Sequence, residues 1–157
     1  GITDADDFLL IKLAALYHDT GFLEVYKGHE EVSCIKATRE LTAVGLGDAA
    51  IQRICGMIMA TKIPQQPHNL FEQILADADL DYLGRTDFVS ISNKLRTEFI
   101  DHKIVDTDAA FDALQLRFLE SHSYFTASSR ALRAPVKQLH YETLLQQHST
   151  GTNNHSL

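Results

Sequence analysis

The sequence predicts an all-α fold, a bundle of about six or seven helices. Three observations carry that expectation. Apolar residues recur at three- and four-residue spacing through most of the chain, as one face of a helix requires. Three prolines and eight glycines among 157 residues fall mostly between those periodic stretches and act as punctuation. No stretch alternates apolar and polar residues in the manner of a half-buried strand.

The first helix is expected over about Asp4 to His18, with Thr3 or Asp4 as its cap and acids in its first turn. From Phe8 to Tyr17 it is apolar nearly all round, which predicts a helix buried on several sides. It stops at Thr20-Gly21. The second helix, about His29 to Val44, lines up Val32, Ile35, Ala37 or Thr38, and Leu41 on one side; Gly45-Leu46-Gly47 ends it and Asp48 caps the next. The third carries Ile51, Ile54, Cys55, Ile58 and Met59 and ends before Ile63-Pro64, because a residue ahead of proline is pushed out of the helical region. Residues 64–68 form a polar loop. A fourth helix is expected over about Leu70 to Gly84, and others over about Asp87 to Asp101, Thr107 to Ser121 and Ala127 to Gln147. Residues 1–147 read as one domain, and 148–157 as a polar tail that cannot bury enough surface to order itself.

The bulk numbers exclude several function classes. A formal net charge of -7 opposes binding to a nucleic-acid polymer, though a local basic pocket can still hold one small phosphorylated molecule. The apolar run at Phe8 is too short to span a bilayer and lacks the layout of a signal peptide. Cys34 and Cys55 form no C-x-x-C pair and read as buried thiols of a reducing compartment, so the cytoplasm is the expected setting. Homo-oligomerisation stays open.

Two clusters can carry chemistry. The first is His18-Asp19. Imidazole nitrogen with carboxylate oxygen suits a divalent ion such as manganese, iron, zinc, cobalt or nickel, with magnesium also admitted by the carboxylates. Taken alone, the pair reads as a helix end followed by a turn. Its position at the end of the most apolar helix raises its interest, because a buried imidazole and carboxylate need partners. The second cluster is Asp77, Asp79 and Asp81, three like charges on one helix that repel one another. At about 100° per residue, Asp79 falls within the wide apolar arc of Ile74, Leu75, Ala76, Ala78, Leu80, Tyr82 and Leu83, whereas Asp77 and Asp81 fall in the polar gap. Asp79 is therefore the carboxylate expected to be buried and to need a cation, with Asp77 second. His29 opens the second helix, either as a solvent-facing residue or as a group reaching the metal region or a substrate phosphate. Lys62, at the end of the third helix, is a candidate phosphate contact, and Arg85, Arg130 and Arg133 are weaker ones.

Four segments, Leu13–Phe22 around the His18-Asp19 doublet, Gly28–Ser33, Ala60–Lys62 and Asp77–Gly84, together resemble the HD-domain superfamily of metal-dependent phosphohydrolases, most closely its small predicted bacterial branch. Phe118–Thr126, followed by Arg133 and Lys137, is similar to the same branch, and the likeness runs from about Phe8 to Leu145. The resemblance implies a helical bundle holding one or two divalent metals, with ligands in the order His, His-Asp, Asp. The doublet carries over to His18 and Asp19, and the last aspartate to Asp77 or Asp79. His29 stands where relatives have a histidine facing a second metal or the substrate. The first histidine of the pattern belongs on a helix ahead of the one bearing His18, and no histidine precedes His18 here. The expectation is thus an HD domain lacking its first helix. The implied activity is hydrolysis of a phosphate ester or anhydride, of a nucleotide or related metabolite. In that reaction His29 and Lys62 act in catalysis, and Lys62 or Arg85 meets the phosphate. The alternative is a non-catalytic HD module that binds a nucleotide or partner in a regulatory role.

Overall fold

The computed structural model describes residues 4–152, and they are all-α: eight α-helices and two short 3-10 turns among the described residues. No helix among them is long and apolar enough to cross a membrane. They form two compact units that divide between Asp79 and Leu80, each with its own apolar cluster.

The first unit contains α1 (Ala5–Tyr17), a 3-10 turn (Thr20–Leu23), α2 (His29–Ala43), α3 (Asp48–Ala60) and α4 (Leu70–Asp79). α3 is central and packs against α1, α2 and α4. Its Ile51, Ile54, Met57 and Ile58 lie within one helical stripe and are all buried, meeting Leu10 and Ala14 of α1, Ala37 and Leu41 of α2 and Leu75 of α4. Asp4 caps α1 by accepting from the N–H groups of Asp6 and Asp7. α2 ends on Gly45 at φ 83°, where the Gly45 N–H bonds the Thr42 carbonyl and the Leu46 N–H bonds the Leu41 carbonyl. That paired closure needs a left-handed residue, which glycine supplies without a Cβ penalty.

Two apolar expectations in this unit are corrected. α1 buries only Leu10 and Ala14; Phe8, Leu9 and Leu16 are half or more exposed, so its uniform apolarity does not mean burial on several sides. On α2 the buried residues are Glu30, Ser33, Ala37 and Leu41, while Ile35 is exposed. Small and polar side chains sit where α2 approaches its neighbours most closely, and that closeness is what the apolar pattern does not encode.

The second unit opens with a 3-10 turn (Asp81–Gly84), then α5 (Phe88–Asp101), α6 (Asp108–Ser121), α7 (Ala127–Leu132) and α8 (Ala134–Thr152). Leu80, Leu83, Phe88 and Leu119 make its core, with Tyr82, Phe118, Tyr141 and Leu144 against them. The single helix expected over 127–147 is two, broken at Arg133. Pro135 lacks the N–H a continuous helix would need, so it sits in the first turn of a new one. The helix expected over 70–84 likewise stops at Asp79, and a separate 3-10 turn follows. α8 continues to Thr152; the remainder of the tail expected to be disordered, 153–157, lies outside the described residues.

Candidate metal centre

All of the groups that meet at His18 come from the first unit, and each is delivered by the end of a helix. α1 ends at Tyr17, and the His18 N–H closes it on the Ala14 carbonyl. His18 Nδ1 lies 2.8 Å from the Ala15 carbonyl oxygen, so the ring donates its Nδ1–H there and turns Nε2 outward. This fixes the tautomer that offers a lone pair at Nε2. Nε2 stands 3.3 Å from Asp19 Oδ2 and 3.4 Å from Asp79 Oδ1, Asp79 being the last residue of α4. Among the described residues, His18, Asp19 and Asp79 bring one ligand atom each to within 4.8 Å of one another.

The donor set fits a divalent cation. Two donors bound about 2.1 Å from one ion at ordinary coordination angles lie about 3.0–3.4 Å apart, which is the spacing of His18 Nε2 from both carboxylates. One imidazole and two carboxylates are also the mixed nitrogen and oxygen donors that such ions accept.

The protonation of the cluster points the same way. The hydrogen bond to Asp79 raises His18 to about 9; burial opposes this, while the Ala15 carbonyl and the charges of Asp19 and Asp79 add to it. At neutral pH and without another cation, the imidazole itself is therefore the positive charge between the carboxylates. Burial raises the Asp19 carboxyl above its ordinary value, against the pull of His18. Two acids held together around one cationic ring form a place that a metal ion can take in exchange for a proton.

His29 joins from the other side. As the first residue of α2 it directs Nε2 at Asp19 Oδ1, 3.5 Å away, so the two oxygens of Asp19 face two different histidines. Its Nδ1 lies 3.4 Å from the Tyr26 carbonyl and 3.5 Å from Glu30 Oε2, and Phe22 stacks on its ring at 3.6 Å between centroids.

The other expected site residues fall elsewhere. Asp77 is 3% exposed and is not among the groups gathered at His18, whereas the Asp79 side chain is 25% exposed. This reverses the expected burial of the two. Tyr82 and Leu83 of the expected arc belong to the following 3-10 turn, Ala78 faces solvent, and the consecutive Leu75, Ala76 and Asp77 are buried together. Asp79 thus meets His18 by ending α4, with no need to be deeply buried. Lys62 borders an open cleft of about 290 Å³ with Met59, Ile63, Gln66 and His68, and its ammonium is bonded to Glu31. That bond raises Lys62 and lowers Glu31 from their ordinary values. In the second unit, Arg85 is bidentate to Asp87, at 3.0 and 2.6 Å, and Arg133 bonds Asp81 at 2.5 Å. Arg130 donates to the carbonyls of Tyr124 and Phe125.

Sequence reasoning passed over Phe22, Glu30, Ser33 and Lys36. The available signal was spacing: His29, Ser33 and Lys36 stand at i, i+4 and i+7 and so share one face of α2. Compared with known proteins, the chain matches no family model, no curated protein and no solved structure.

Proposed function

We propose that this chain is a metal-dependent phosphohydrolase that cleaves a phosphate ester or anhydride of a nucleotide or related small metabolite. The observation that carries the reading is the convergence of His18 Nε2, Asp19 and Asp79, with the His18 tautomer fixed by the Ala15 carbonyl. The resemblance to the HD-domain superfamily supports it, since the same doublet and a later aspartate fill three of the four positions of the pattern, the first histidine having no counterpart ahead of His18. A divalent ion bound there would acidify water and polarise a phosphoryl oxygen. His18, on giving up its Nε2 proton, would supply a neutral nitrogen donor, and Asp19 and Asp79 would supply the negative charge that balances the ion. The free oxygen of Asp19 orients His29 Nε2, from which a proton can be taken or returned. Lys62 offers an ammonium to a phosphate once it leaves Glu31.

The test is release of inorganic phosphate from nucleotides and simple phosphate esters by chelator-stripped protein reloaded with manganese. Turnover is expected with the reloaded protein and is abolished by His18→Asn and Asp79→Asn. If reloaded protein turns over no phosphorylated compound, the enzymatic reading fails.

One observation favours the non-catalytic module instead: both cations expected to meet phosphate, Lys62 and Arg85, are neutralised by carboxylates of their own unit. Manganese uptake with nucleotide binding and no hydrolysis is the outcome that reading predicts.

A further inference from the structure

Resting on the metal-centre reading, we propose that Ser33 and Lys36 of α2 are positioning residues that fix where Asp19 presents its carboxylate. Asp19 is a short side chain on a turn, so the place of its oxygens follows the backbone on either side of it. That backbone is held at three points by one helix face. The Ser33 hydroxyl donates to the His18 carbonyl at 2.7 Å and accepts from the Gly21 N–H at 2.8 Å. Lys36 Nζ donates to the Thr20 carbonyl at 3.1 Å. The three bonds straddle Asp19, one before it and two after.

Ser33 is wholly buried, so water cannot replace its hydroxyl. Its single proton and an acceptor lone pair are both committed to the turn. The approach of turn to helix is as close as backbone allows: a Cβ on Gly21 would lie 1.9 Å from the His29 carbonyl oxygen. His29 lies on that same face of α2. The helix that carries the histidine therefore also carries the groups that hold Asp19 opposite it, and the 3.5 Å spacing between His29 and Asp19 is set by one rigid element.

Lys36 has a second partner, Glu24, at 3.0 Å, so its contact with Thr20 must be separated from its ion pair. The experiment is calorimetric titration of the chelator-stripped full chain with manganese alone, with the manganese EPR spectrum as a second readout. Ser33→Ala and Lys36→Met are each expected to weaken binding by about tenfold or more, the usual effect of losing a group that orients a ligand. Lys36→Arg, which restores an N–H donor, is expected to recover most of that loss. Glu24→Gln, which removes only the ion pair, and Ser92→Ala, which removes a buried hydroxyl from the other unit, are expected to bind as the parent does. Should Ser33→Ala not fold, the Lys36→Met and Lys36→Arg pair decides the matter.

If the parent chain binds manganese and Lys36→Met binds it equally well with an unchanged spectrum, the positioning role is overturned while the metal reading stands. If the parent chain takes up no manganese, the metal reading falls, and the positioning role with it, before any variant is compared.

Discussion

The imidazole of His18 is the residue on which the proposed chemistry turns, and its raised affinity for a proton has a measurable consequence in metal-free protein. Its folded value of about 9 lies above the ordinary 6.5, first because of the Asp79 hydrogen bond. A group whose proton is held more tightly in the folded state contributes stability that is fully present below pH 6.5 and is lost as pH rises through 9. In chelator, urea midpoints are thus expected to fall across that window in the parent chain and to fall less in Asp79→Asn. Equal slopes in the two proteins would remove Asp79 as the cause. Cys34 gives a second residue-level expectation: burial and the neighbouring Cys55 push its thiol up to about 12, so it stays protonated at pH 8. Iodoacetamide should modify it far more slowly in folded than in urea-unfolded protein, and mass spectrometry of timed samples would register any failure of that protection. The sequence made part of this scale legible. His18, Asp19 and Asp79 could be singled out as residue types that need partners. Ser33 could not, because a serine acquires its meaning only from the carbonyl and amide it meets.

At the scale of elements, the helices were legible because apolar spacing and glycine stops are local signals. Their ends were less so. α4 stops at Asp79 and not at Gly84, and α7 and α8 separate at Arg133, because a 3-10 turn and a proline interrupt patterns that remain apolar across the break. The wheel drawn through residues 70–84 misjudged Asp77 because α4 is covered on more than its apolar side, with the consecutive Leu75, Ala76 and Asp77 all buried. Which face of α1 is covered was also not legible, since the sequence shows an apolar surface without showing what packs on it. The most constrained element is the turn after α1. Gly21→Ala forces a methyl into the His29 carbonyl, with backbone on both sides and no flexible side chain to give way. The expected loss is at or above about 3 kcal/mol, the upper end for overpacking, read as a shift in urea midpoint. Gly47→Ala, with nothing within 4 Å of the new methyl and φ at -70°, serves as the comparison and is expected to change little.

For the molecule as a whole, the proposed site would link metal binding to folding. An ion that binds the folded chain alone, supplied at a hundred times its dissociation constant, stabilises it by about 2.7 kcal/mol. Manganese is thus expected to raise the melting temperature by several degrees and chelator to reverse the change, with added amide protection in residues 14–33 and 70–79. A melting temperature indifferent to manganese would count against a specific site. The arrangement of helix ends adds something that the individual residues do not. α1 and α4 both finish at the cluster, each bringing the partial negative charge of its C-terminal end, and neither carries a basic residue in its final turn. Asp79 therefore stands at the end of a helix that disfavours a carboxylate, while α2 begins at His29, beside Asp19, with Glu30 and Glu31 in its first turn. The field across the site therefore has one sign: the carboxyl-terminal ends of α1 and α4 and the acids in the first turn of α2 all favour a cation beside Asp19 and Asp79, so an ion would be drawn inward before it touches a side chain.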